Sequence, residues 1–116
     1  MSITRIESGA RMSEAVIFNG VVYLAGQVPA DASLDIGGQT KQVLAAIDEL
    51  LARAGTDKSK LLTAQIFLAD MADFKGMNVE WDAWVSPGNT PARATVEAKL
   101  ANPRLKVEIV VTAALD

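Results

Sequence analysis

The chain has 116 residues, half of them apolar, a net charge of −3, and neither cysteine nor histidine. Those absences exclude disulfides, thiolate nucleophiles, thiolate or imidazole metal sites and every Ser-His-Asp triad. The interspersed charges form no basic stripe, which argues against nucleic-acid binding, and no apolar run approaches the roughly 20 residues of a membrane span.

In chain order, Met1 to Ala10 is broken by charges and has no apolar stretch, so no signal peptide is expected and the expected location is the cytoplasm. Ile3–Glu7 alternates apolar and polar residues and predicts a short strand. Ala15–Phe18 and Val21–Ala25 flank Asn19-Gly20, the strongest short signal for a hairpin closed by a type I′ turn. Pro29 is expected to end the second strand of that hairpin. Between them, Gly26-Gln27 marks a bulge or a close backbone approach.

Asp35 to Gly55 predicts a helix, with Val43, Ile47, Leu50, Leu51 and Ala54 on one stripe and Gly55 at the C-terminal cap. Leu61–Leu68 reads as an apolar strand. Asp70 is placed to cap a second helix carrying Phe74, Met77, Trp81 and Trp84, followed by a Pro87-Gly88-Asn89 loop. Arg93–Leu100 alternates strictly, with Arg93, Thr95, Glu97 and Lys99 on one face. After a turn at Asn102-Pro103, the last strand runs from Lys106 to Leu115.

The order β-β-β-α-β-α-β-β predicts a single α+β domain, residues 1–116, with both helices on one face of a mixed sheet. The last strand places Val107, Ile109, Val111 and Ala113 on one side and Glu108, Val110, Thr112 and Ala114 on the other. The second set is too apolar for water and has no helix left to cover it. A second copy of the chain is the simplest cover, so a homo-oligomer is expected.

Without Cys or His, chemistry falls to Arg, Glu, Asp, hydroxyls, backbone amides and water. Arg93 opens a strand after a loop and presents a planar, permanently charged fork suited to a carboxylate or phosphate, with the Thr95 amide as a second donor. Spacing alone favours a plainer role, a strand-edge arginine paired with Glu97 or Asp82. Glu108 is the lone charge in an apolar strand. A carboxyl removed from water holds its proton more tightly and can pass it on, while a buried ion pair would account for it equally well. Trp81 and Trp84 read as core or interface anchors and Asn78 as a solvated position. No carboxylate cluster has EF-hand spacing, and no metal site is expected.

Together Met12-Ser13-Glu14-Ala15-Val16, Asn19 to Gln27, Asn78 with Trp81 and Trp84, and above all Pro91-Ala92-Arg93-Ala94-Thr95-Val96-Glu97 with Lys106-Val107-Glu108-Ile109 resemble the RidA, or YjgF, family of reactive-intermediate deaminases. The resemblance spans nearly the whole chain. It implies a chorismate-mutase-like α+β fold, a mainly antiparallel sheet with two helices on one face, assembled as a homotrimer around a barrel-like core. It further implies cofactor-free hydrolysis of enamine and imine acids of the 2-aminoacrylate type to 2-oxo acids and ammonia, in clefts between subunits. Arg93 and Glu108 match the catalytic positions. Arg93, Thr95, Gly26, Asn78 and Met12 match positions that bind substrate. The expected partners are a small carboxylated imine, enamine or 2-oxo acid and two more copies of the chain, with neither nucleic acid nor membrane. Two positions depart from the deaminase archetype: its Gly-Pro-Tyr-Ser-Gln stretch is Ala10-Arg11-Met12-Ser13-Glu14 here, and the serine before Gly-Gln is Ala25. An Arg-Met-Ser start resembles a sister subgroup. A trimer that binds 2-oxo acids as a sensor or regulator is the alternative reading. An apolar-surfaced, chaperone-like trimer is a third, and nuclease activity proposed for some relatives fits the acidic balance poorly.

Overall fold

The computed structural model describes residues 2–116. The strands are β1 (Thr4–Ile6), β2 (Ala15–Phe18), β3 (Val21–Leu24), β4 (Leu61–Leu68), β5 (Ala92–Glu97) and β6 (Val107–Ala114), and the helices are α1 (Ile36–Ala54) and α2 (Phe74–Trp84). They form one six-stranded sheet in the order β1-β2-β3-β6-β4-β5, in which only β4 and β5 run parallel. The fold class is α+β, as expected, with mainly antiparallel pairing.

Local chemistry explains the elements. Asn19 and Gly20 take φ of 54° and 77°, the two left-handed positions that close the β2–β3 hairpin. The Asp35 carboxylate accepts from the Gly38 amide at 2.8 Å and caps α1. Gly55 ends α1 at φ 95°, with amides of Gly55 and Thr56 turned back to Ala52 and Leu51. Asp70 caps a 3-10 turn, Met71–Asp73, which then feeds α2, so its role is one step earlier than the helix start expected of it.

Several boundaries differ from the sequence reading. The first strand shortens from Ile3–Glu7 to Thr4–Ile6, because Glu7 turns to φ 55° and leaves the ladder. The hairpin's second strand ends at Leu24, not near Pro29. Pairing with β6 resumes at Gln27, which exchanges both backbone bonds with Ile109, at 2.9 and 3.1 Å. The Arg93 strand stops at Glu97 instead of Leu100, since beyond Ala98 no residue pairs with β4.

Both helices cover one face. Val43, Leu44, Ile47, Leu50 and Leu51 of α1 and Met77 and Trp81 of α2 pack on Val22, Ala64, Ile66, Val107, Ile109 and Val111. The other face carries Phe18, Tyr23 and Val96, which are 38%, 47% and 43% exposed. Val110 and Thr112 lie between them. The apolar face that the last strand implied is therefore bare in a single copy, and it extends across the sheet. Among the described residues, no helix is long and apolar enough to cross a membrane.

Candidate functional site

Arg93 lies at the open edge of the sheet, on β5, in register with Ala64 of β4. Ala64 is buried beneath the helices, so alternation puts Arg93, Thr95 and Glu97 on the helix-covered side. There α2 meets Arg93 with three side chains. Arg93 Nη1 donates to Asn78 Oδ1 at 2.7 Å. Its Cζ lies 5.3 Å from the Trp81 ring centre and 6.0 Å from that of Phe74.

The plainer role for Arg93 does not hold. The ion pairs among the described residues join Lys41 to Glu80 and Arg53 to Glu7, and neither Glu97 nor Asp82 reaches Arg93. The Glu97 carboxylate instead accepts from the Met71 amide at 2.8 Å. Arg93 is thus held by neutral groups, and its charge is not cancelled by a protein carboxylate. Asn78, expected to be solvated, is one of those groups.

Thr95 adds a second donor. The Ala98 amide bonds Leu68 O at 2.9 Å, so alternation along β5 turns the Ala94 and Val96 amides toward β4 and the Thr95 amide toward the open edge. The cleft of about 360 Å³ that Arg93 borders with Thr63, Ala64, Gln65, Ala92 and Ala94 opens on the bare face, where Thr63 and Gln65 lie in register with Thr112 and Val110, so the guanidinium itself lies on the other side of the strand. A permanently charged fork beside an unpaired amide at an accessible edge is an anion-binding arrangement.

Glu108 stands elsewhere. It pairs with Phe67 in register and faces the bare side, opposite to Arg93. It lines a separate cleft of about 230 Å³ with Phe67, Ala98, Lys99, Leu100 and Ala101. The ion pair offered as the plain account of Glu108 is absent among the described residues. Gly26 explains its position: a methyl group there would lie 2.1 Å from Glu108 Oε2. The close approach suspected at Gly26-Gln27 is therefore between the backbone and this carboxylate. Gly26→Ala is expected to push the carboxylate aside and cost about 1 kcal/mol, the low end for overpacking, since a flexible side-chain tip can rotate away. Thermal melts would check this; a loss several-fold larger would mean the backbone itself has to move.

Met12 lies in the loop between β1 and β2, half exposed, at the sheet edge opposite Arg93. One copy of the chain thus brings together Arg93, Asn78 and Thr95, and Gly26 with Glu108, but it brings neither Glu108 nor Met12 to Arg93. Trp81 underlies Arg93, whereas the Trp84 indole N–H turns away to Asp48 of α1 at 2.9 Å. Phe74 joins the Arg93 site, and sequence reasoning had assigned it only to the helix's apolar stripe. Its place four residues before Asn78 was the available signal.

The fold, two helices on one face of a six-stranded, mainly antiparallel sheet, is that of the small α+β domains of the YjgF type. The chain belongs to that family: its profile, described as endoribonuclease L-PSP, matches residues 2–115. A RutC family protein of Haemophilus ducreyi is 56% identical over 114 residues, covering 98% of this chain and 97% of that one. RutC family protein YoaB of Escherichia coli is 49% identical over 115 residues, covering 99% and 100%. The crystal structure of a YjgF-family protein of Neisseria meningitidis superposes with a TM-score of 0.95 at 49% identity, covering 98% of this chain and 95% of that one. More distantly, the chloroplastic Reactive Intermediate Deaminase A of Arabidopsis thaliana is 35% identical over 108 residues, which cover 86% of this chain and 57% of that protein.

Proposed function

We propose that this chain hydrolyses reactive 2-imino and enamine acids of the 2-aminoacrylate type to 2-oxo acids and ammonia, in clefts completed between copies of a homotrimer. The observation that carries the reading is the Arg93 guanidinium, held by Asn78 and Trp81 with no carboxylate upon it among the described residues. In this reading the substrate carboxylate occupies the Arg93 fork and the Thr95 amide. An enamine first takes a proton on its β-carbon to become the imine. Water then adds to the protonated C=N carbon, and the resulting carbinolamine expels ammonia as its C=O forms. No electrons are exchanged with an external partner, so the chemistry requires anchoring, a placed water and proton transfer. Glu108 is the group for the proton or the water. Because it lies on the other face of the sheet, a Glu108 near an Arg93 has to belong to another copy, and so does a contributing Met12 loop. The bare face of Phe18, Tyr23 and Val96 supplies the surface for that assembly.

The test is imine loss during amino-acid oxidase turnover, with semicarbazide trapping what remains. Wild type should lower the trapped imine, and Glu108→Gln should lower the turnover rate at least tenfold while 2-oxo acid affinity changes little. Equal turnover would remove Glu108 from the mechanism.

One observation favours a second reading, a trimer that binds 2-oxo acids without turning over imines. Met12 and Ala25 stand where the archetype has Tyr and Ser, and neither side chain can carry a proton. In that case the purified protein binds the 2-oxo acid and leaves imine loss at the blank rate. Binding of RNA, which the family profile's description raises, would need a positive field that a net charge of −3 without a basic stripe does not supply.

A further inference from the structure

We propose that Trp81 is a positioning residue for Arg93: its buried ring is the platform that fixes the direction of the guanidinium fork. The inference deepens the reading above and rests on it for the identity of the bound group. An arginine on an edge strand normally samples many rotamers. Here Phe74, Asn78 and Trp81 project from one face of α2 at i, i+4 and i+7 and meet the same guanidinium. Asn78 engages one terminal nitrogen, and the Trp81 ring lies 5.3 Å from Cζ. Tryptophan is the aromatic surface that attracts a cation most strongly.

The platform is itself braced. Trp81 is only 5% exposed. Trp84 lies against it with ring centres 5.4 Å apart at 50°. Trp84 in turn is tied through its indole N–H to Asp48 of α1 and covered by the Lys58 ammonium at 5.1 Å. The second helix thus reads as a cradle whose aromatic face orients a cation without neutralising it. A carboxylate in Trp81's place would hold the fork equally well but would occupy the charge meant for the ligand.

The test follows the Arg93 Nε–Hε signal by ¹⁵N NMR in the intact wild-type protein, assigned by its loss in Arg93→Lys, together with titration of 2-oxobutanoate. In wild type the signal should be shifted upfield by the Trp81 ring. Trp81→Leu should return it to the unshielded position and weaken 2-oxobutanoate binding about tenfold. Trp81→Phe keeps an aromatic face. It should move the signal only part of the way and hold affinity within about threefold. If Trp81→Leu does not fold, Trp81→Phe decides alone: an Arg93 signal that does not move overturns the inference. An unshifted signal in wild type, or unchanged signal and affinity in Trp81→Leu, overturns it as well. A shifted wild-type signal that responds to Trp81 in a protein that binds no 2-oxobutanoate supports the platform and sinks the carboxylate site.

Discussion

Arg93→Ala is expected to weaken 2-oxobutanoate binding about 100-fold, about 2.7 kcal/mol, while the protein stays folded with the oligomeric state of the wild type. The magnitude follows from two charge-assisted hydrogen bonds in a fork, each contributing about 1.5–3 kcal/mol, less what an unpaired carboxylate regains from water. The small stability cost follows from where Arg93 stands. It is exposed on an edge strand and meets α2 through Asn78, Phe74 and Trp81, of which Trp81 belongs to the buried core. Losing those contacts should cost about 1 kcal/mol. Arg93→Lys separates charge from shape. Lysine keeps the positive charge but not the planar pair of donors, so affinity about tenfold below wild type is expected. Calorimetric titration with a melting curve for each variant checks all of this. Equal affinity in wild type and Arg93→Ala would remove the carboxylate site, and a monomeric or melted Arg93→Ala would make Arg93 a structural residue.

What the sequence disclosed about this site depended on the range of the interaction. The Asn19-Gly20 turn, the Asp35 and Gly55 caps and the alternation of β6 are local, and each was legible because a few adjacent residues determine it. The facing of Arg93 was not. Alternation told which residues share a side with Arg93, but which side meets the helices depends on its register with Ala64, a pairing made 29 residues away. For the same reason nothing in the spacing said that Arg93 and Glu108 point to opposite faces. The resemblance put Arg93 and Asn78 among the same substrate-binding positions without pairing them, whereas spacing pointed to Glu97 or Asp82 as the partner of Arg93. Spacing failed because Glu97 has a stronger local use, on the Met71 amide at the start of the turn leading to α2. Met12 matches a binding position by motif and still lies at the far edge of the sheet, which a motif confined to one chain has no means of expressing.

The residue that sequence patterning missed altogether leads to the second large effect. Gln39→Ala is expected to destabilise the fold by about 3–4 kcal/mol, near the upper end for single substitutions. Gln39 lies fully buried at the end of the first turn of α1. Its Nε2 shares two protons among the carbonyls of Ala32, Leu34 and Arg104, each at 3.1 Å, and its Oε1 accepts from the Lys106 amide at 2.8 Å. One side-chain amide therefore satisfies backbone groups of two loops that are otherwise separate, the one entering α1 and the one entering β6. Alanine would leave those groups unpaired beside a cavity, and water entering it would recover only part of the loss. Urea unfolding at fixed protein concentration measures the effect. A loss below about 1 kcal/mol would show that water replaces the amide fully. Gln39→Glu sharpens the argument. It keeps an acceptor for the Lys106 amide but turns a carboxylate toward three carbonyl oxygens, so the folded state should favour the protonated acid and raise its pKa above the unfolded value of about 4.3. A raised folded pKa means the folded state holds the proton more tightly. Gln39→Glu should therefore be nearest to wild type below about pH 4 and lose stability as pH rises through the raised value. Because Lys106 precedes the strand that carries Glu108, the same loss should loosen the start of β6. Gln39 thereby links the packing of α1 to the placement of the carboxylate on the bare face.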